Sequence, residues 1–254
     1  MIFLYIVDFE REYILNTIVN KKAFTLSEAL IALVIIGIVA ALTVPNIVFK
    51  YNDDVTVKRV TKFYATMSVA YQKIKFEEGV PEDWGELNED RTNNGRVFYE
   101  KFKKHLSILK DCSNDQPGCF ASSSYKLFSG GFSENFTSAR ARYNAILLDG
   151  SAVSFYVHPK STFTYNEGKD RKGGLGLVYL DVNGAKPPNQ FGKDMFQFDI
   201  TEDAIYPPMV TKREISNCLS AGYYCSGWII AYQNMDYKYC PQEILAGKPN
   251  CGMK

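Results

Sequence analysis

Glu28 is the carboxylate with the least ordinary surroundings in this sequence. It stands two residues ahead of Leu30–Val44, a nearly unbroken apolar run that closes on Pro45. The span Phe24–Val44 is long enough to cross a bilayer as a helix, which takes about 20 apolar residues. A charged group in such a helix costs roughly 2.5–3.5 kcal/mol on insertion scales and reads as functional by default. A carboxylate held there gains most from an opposite charge close by.

A second set of chemistry-bearing residues lies far downstream, between Asp181 and Asp194. Two carboxylates, Asp181 and Asp194, and two asparagines, Asn183 among them, fall within this short stretch, beside Gly184 and Gly192. Oxygen donors at mixed spacing suit a hard cation such as calcium. The loop is not an EF-hand, which needs an oxygen ligand where Ala185 stands and a Glu where Gly192 stands. The alternative is a turn-rich connection, with Asp181 and Asn183 forming Asx-turns and Pro187 and Pro188 stiffening it.

The six cysteines are Cys112, Cys119, Cys218, Cys225, Cys240 and Cys251. An even count in an exported chain predicts three disulfides. The expected pairing is local: Cys112 with Cys119, Cys218 with Cys225, Cys240 with Cys251. Each would close a short loop, for about 2–3 kcal/mol by loop-closure entropy. Zinc is disfavoured because no C-x-x-C spacing occurs and neither histidine is close to a pair. His105 falls on a lysine-rich helix face and His158 precedes Pro159, with no nucleophile motif near either. The G-x-S-x-G signature is absent. Gly173-Gly174-Leu175-Gly176 lacks the third glycine of a dinucleotide loop. The sequence therefore predicts no enzyme.

The elements that position these groups follow from composition and periodicity. The chain has 254 residues, 46% hydrophobic and 22% charged, with a net charge of +1. Such a chain can bury a sizeable core, and without a basic block it is not expected to bind nucleic acid. Beyond Pro45, Ile47, Tyr51, Val55, Val60, Tyr64, Met67, Tyr71 and Ile74 recur mostly on one stripe, predicting an amphipathic helix. Gly79 and Pro81 should end it. Residues 79–95 read as a loop and 96–109 as a helix. Tyr143–Val157 reads as a β-hairpin turning at Asp149-Gly150. Leu175–Asp181, Met195–Ile200 and Trp228–Tyr232 read as further strands, all of them after Cys119. The class is α+β.

The stretch Lys21-Lys22-Ala23-Phe24-Thr25-Leu26-Ser27-Glu28, with its apolar run and Pro45, resembles the prepilin signal of type IV pilins and type II secretion pseudopilins. A secretory signal peptide cut after Ala41, or a plain anchor, accounts for the apolar run but not for Glu28 or for F-T-L-S-E. The resemblance is strong over residues 21–76. It departs at Ala23, where the family usually has Gly; Ala is similarly small, so cleavage is expected to proceed.

The resemblance implies the rest of the expected organisation. Residues 1–23 form a leader that prepilin peptidase removes between Ala23 and Phe24, after which the Phe24 amine is methylated. Residues 24–45 form a transmembrane and assembly helix, kinked or locally melted at Pro45. Residues 46–78 form its amphipathic half, packed on the antiparallel β-sheet of a disulfide-stapled head, 79–254. Glu28 would neutralise the amine of a neighbouring subunit. The implied partners are the peptidase, other pilin or pseudopilin subunits and an inner-membrane assembly platform. Lys21 and Lys22 keep the leader cytoplasmic under the positive-inside rule. The head then lies outside the bacterial inner membrane, in a type II secretion pseudopilus or a type IV pilus. An exported binding or adhesion module, as in minor pilins, is the alternative. Calcium is the one cofactor the resemblance suggests.

Overall fold

Helix α1 runs from Leu26 to Glu78. The computed structural model describes residues 25–84, 93–113, 117–133, 135–136, 142–157, 174–208 and 212–252. The leader 1–23, Phe24, His158 and Gly173 lie outside the described residues, as do residues 85–92 of the expected loop 79–95. The chain divides into two units, residues 1–51 and 52–254.

In the first unit, α1 is apolar around its whole circumference and its large side chains are exposed, from Leu26 through Leu42 to Tyr51. A helix hydrophobic on all sides needs a surrounding other than water. It is the one helix among the described residues long and apolar enough to cross a membrane. Helical assignment continues through Pro45, so the segment does not melt there. Proline removes the N–H that would reach the Ala41 carbonyl. In the same turn the Thr43 hydroxyl donates to the Val39 carbonyl at 2.9 Å and the Asn46 amide to the Leu42 carbonyl at 3.3 Å.

In the second unit, Val57, Val60, Phe63, Met67, Ala70, Tyr71 and Ile74 form the buried stripe of α1. The expected stripe holds at Val60, Met67, Tyr71 and Ile74, where Phe63 and Ala70 join it in the core, and fails upstream, where Ile47 and Tyr51 are exposed. The spacing is right from Val60 onward; upstream, apolar residues on every side of the helix hide the true face. Gly79, at φ 81°, ends the helix with its N–H on the Lys75 carbonyl. A 3-10 turn, Pro81–Trp84, leads on, and α2, Asn94–Lys103, begins earlier and ends earlier than the sequence predicts.

Six strands follow among the described residues: β1 Ile108–Ser113, β2 Arg142–Leu147, β3 Ala152–Val157, β4 Gly174–Asp181, β5 Met195–Thr201 and β6 Ile205–Tyr206. Each pairs antiparallel with the next, in the order β1-β2-β3-β4-β5-β6. The sheet thus starts before Cys119, with a strand whose Leu109-Lys110-Asp111 is exposed at the sheet edge. The β2–β3 connection is a three-residue loop, Leu148–Gly150. Leu147 donates to the Ser151 carbonyl at 2.8 Å and Gly150, at φ 84°, to the Leu147 carbonyl at 2.9 Å. This is the hairpin that places glycine in the left-handed region to restore strand register.

Period-2 alternation sends one row of side chains toward the helices. Tyr143, Phe155, Val178 and Phe198 are successive cross-strand partners. Phe198 lies 5.5 Å from Phe63 and 6.0 Å from Tyr64, ring to ring. Phe155 meets Phe102 of α2 at 5.3 Å, and Tyr143 stacks on Tyr99 at 4.3 Å. The Tyr71 hydroxyl reaches the Thr201 carbonyl at 2.5 Å.

The opposite face is covered too. Residues of the 117–136 segment, Phe120, Tyr125 and Phe136, pack with Ala152, Tyr179, Phe191 and Met195 in a second core. Arg142 is buried among the rings of Phe136, Tyr156 and Tyr179, at 4.5, 4.8 and 4.7 Å. Hence every residue of β5 is buried. After the sheet come α3 Lys212–Ser220, α4 Cys225–Tyr232, a 3-10 turn Asp236–Lys238 and α5 Pro241–Leu245. Trp228–Tyr232 is therefore helix and not strand. A short apolar run carries no period that separates the two, and here Gln233, at φ 53°, caps it on the Ile229 carbonyl.

Phe155→Ala should cost about 3–5 kcal/mol, as for a buried ring between two layers. Phe76→Ala, at a site 93% exposed, should stay within about 0.5 kcal/mol. Urea unfolding followed through the fluorescence of Trp84 and Trp228 measures both.

Candidate functional site

The first turn of α1 is built by its own side chains. The Glu28 carboxylate Oε2 accepts the Thr25 N–H at 2.9 Å and the Thr25 hydroxyl at 2.8 Å. The Thr25 hydroxyl oxygen in turn accepts the Glu28 N–H at 3.2 Å. This is a capping box: two of the helix's orphan donors are satisfied reciprocally by residues three apart. Its sequence signal is Thr25-Leu26-Ser27-Glu28, part of the F-T-L-S-E stretch, and the structure gives Thr25 the role of N-cap. Ala23 and Phe24 fall outside the described residues, Phe24 being the covalent neighbour of Thr25.

Far from that turn in sequence, Asp181 and Asp194 do come together. Asp181 closes β4 and Asp194 precedes β5, and both are buried, 0% and 3% exposed. Asp181 accepts the Tyr125 hydroxyl at 2.5 Å and the Asn183 N–H at 3.1 Å. Asp194 accepts the N–H groups of Asn189, at 2.8 Å, and Gln190, at 2.7 Å. The Asn183 N–H on Asp181 is an Asx-turn, so the connecting-loop reading holds locally. Asn183 also donates its side-chain amide to the Pro187 carbonyl at 3.0 Å. The Oδ1 atoms of Asn183 and Asn189 are buried without a hydrogen-bond donor.

The electrostatics of this pair follow from burial. Loss of water, and then the facing charge of Asp194, pushes Asp181 up to about 8. Burial raises Asp194 to about 6 against the opposing pull of the Gln190 and Asn189 amides. Two carboxylates sharing a dry site cannot both ionise cheaply. Tyr125, which no local pattern ties to Asp181, sits 56 residues away in sequence. No group of three or more His, Cys, Asp or Glu side chains suited to a metal ion occurs among the described residues.

The cysteines form three disulfides, Cys112–Cys119, Cys218–Cys225 and Cys240–Cys251, with Cα separations of 6.2, 4.7 and 5.4 Å. The first ties the segment over the back of the sheet to β1. The second joins α3 to the start of α4. The third closes the C-terminal loop, where Asp236 accepts the Cys251 N–H at 3.0 Å. That loop is held to α1 through Asp53, whose carboxylate accepts the Lys238 ammonium at 2.5 Å and the Tyr239 hydroxyl at 2.7 Å. Val182 accepts a hydrogen bond from the Arg59 guanidinium. His105 is half-buried with Nε2 3.8 Å from Glu77.

Residues 18–44 match the family model for the prokaryotic N-terminal methylation motif, the signature of type IV pilins and pseudopilins. No curated protein and no solved structure matches the chain. The motif and the long apolar helix followed by an antiparallel six-stranded head support a type IV pilin-like subunit, and they are consistent with membrane anchoring.

The raised acids give a signed pH dependence. A carboxyl that keeps its proton in the fold and loses it in the unfolded chain stabilises the fold at low pH. That contribution is full below about pH 4 and is lost as pH rises through the folded values. For Asp194 and Asp181 those lie at about 6 and about 8. In calcium-free buffer, the melting temperature of the detergent-solubilised chain should fall across that window. Asp181→Asn should flatten the fall, whereas an unchanged slope would separate the pH response from this pair.

Proposed function

We propose that this chain is a pilin-like structural subunit of a type II secretion pseudopilus or a type IV pilus. Prepilin peptidase removes residues 1–23 by cutting after Ala23, and Phe24 becomes a methylated amino terminus. The subunit waits in the bacterial inner membrane with Lys21 and Lys22 on the cytoplasmic side and the head outside. Three disulfides suit an oxidising compartment of that kind. An assembly platform then draws the helix into a polymer of like subunits. The chain works by polymerising and not by catalysis.

The observation that carries this reading is the methylation motif at residues 18–44. The capping box gives it chemistry. The Thr25 N–H donates to Glu28, and cleavage after Ala23 frees an amine at Phe24, four positions ahead of that carboxylate in the chain. Exchange of that pairing with a neighbouring subunit sets the register between helices. Packing of apolar helices against one another, out of contact with water, supplies the association at about 25 cal/mol per Å2.

Mass spectrometry of the mature protein tests the proposal. A free or methylated Phe24 as first residue is expected, and any other amino terminus removes its basis. Calcium is the ligand we propose for the Asp181–Asp194 pair, with Asn183 and Asn189 contributing their free amide oxygens. Added calcium should raise the melting temperature at pH 8 and a chelator should reverse it; identical melting with and without calcium would leave the pair to its proton alone.

A further inference from the structure

The apolar surface of α1 does not stop at Pro45. Phe49 and Tyr51 are 59% and 67% exposed, with Lys50 between them. Aromatic and lysine side chains are the types that settle at a membrane–water boundary. Leu26 to Tyr51, as helix, rises about 39 Å, close to the about 40–45 Å of a bilayer counted through its headgroups. Tyr51 therefore marks the level at which the span leaves the lipid, and Asp53 follows two residues later.

Asp53 is the residue to which the end of the chain is fastened. Lys238 and Tyr239 both bind its carboxylate, and Thr61 donates to Gln233 at 3.3 Å. The lobe they hold is small and closed. It comprises the 3-10 turn Asp236–Lys238, α5 and the Cys240–Cys251 disulfide. The residue to which the lobe is fastened follows Tyr51 by two positions in the chain. The lobe's exposed residues include Tyr239 and the tip Leu245-Ala246-Gly247-Lys248. Lys238 is spent on Asp53 and Asp236 on Cys251. Among the described residues of the lobe that leaves Lys248 and the half-buried Glu243, of opposite sign, beside an aromatic and an aliphatic anchor.

We propose that the C-terminal lobe, fastened to Asp53, lies on the phospholipid headgroups where α1 leaves the bilayer, with Tyr239 and the Leu245–Lys248 tip in the interfacial zone. The inference rests on the membrane-anchored reading of α1. Contact is aromatic and aliphatic, so it is insensitive to salt. Leaving the membrane means peeling the lobe off its surface.

The test places an indole at single positions of the full chain, reconstituted in phosphatidylcholine vesicles with and without brominated acyl chains. Quenching is read against the wild type, whose Trp84 and Trp228 are buried. Leu42→Trp reports on the span, Leu245→Trp on the lobe. Phe76→Trp is the control, about 35 Å further along α1 than Asp53 at helical rise. Position 245 should be quenched at least about twofold more than position 76, as for a side chain in the headgroup boundary, and equally at low and high salt. Asp53→Ala added to Leu245→Trp should bring quenching down toward the position-76 level. Equal quenching at 245 and 76, with position 42 quenched, overturns the lobe contact and leaves the anchor standing. An unquenched indole at position 42 overturns the anchor and the lobe contact together.

Discussion

Phe198 of β5 takes Phe63 and Tyr64 of α1 on one side and, through the row Val178, Phe155 and Tyr143, reaches across four strands. That contact fixes the rest of the head. It chooses which face of α1 is buried, and by strand alternation it decides which side chains of β2 to β5 look the other way. Ala152, Tyr179 and Met195 are thereby turned toward the back, where Phe120, Tyr125 and Phe136 must cover them. Tyr125 then meets Asp181. The acid pair is a downstream consequence of a helix-to-sheet contact on the far side of the sheet.

The same helix has two regimes along its length. Around Leu26–Tyr51 every side is apolar and no face is chosen by the fold; from Val57 onward one face is chosen and the others carry Lys58, Lys62 and Lys73. Helical hydrogen bonding is common to both, since a backbone in lipid must satisfy itself and a backbone on a sheet gains by doing so. What differs is the solvent of the side chains. The Thr25–Glu28 cap satisfies two of the N–H groups that the start of a helix leaves without partners.

The parts legible in the sequence are those specified by neighbours in the chain. The apolar run, T-L-S-E, the alternation around Asp149-Gly150 and the strand Met195–Ile200 each declare themselves within a dozen residues. The parts that were not legible depend on distant partners. Ile108–Ser113 is a strand because β2 offers it an edge; its own Lys110 and Asp111 argue for nothing. Cys225–Tyr232 is a helix because it packs beside α3 and β5, and its short apolar run is equally good strand. Nothing in residues 117–136 announces a lid over a sheet, since an antiparallel sheet can leave one face to water. At the candidate site, Asp181, Asn183 and Asp194 were legible as oxygen donors, and Tyr125 and the orphaned Asn189 oxygen were not.

The strand order β1 to β6 is also the order of synthesis. In a chain that appears amino end first, each new strand finds its only earlier neighbour already present and waits for nothing downstream. The disulfides share this property, joining cysteines 7, 7 and 11 residues apart. Low sequence separation between contacts favours fast folding and shortens the time that strand edges stay exposed. Strand pairing and disulfide closure can therefore proceed as a running sequence of local steps, whereas the contacts of α1 with Phe198 and with Lys238 and Tyr239 wait for the last part of the chain.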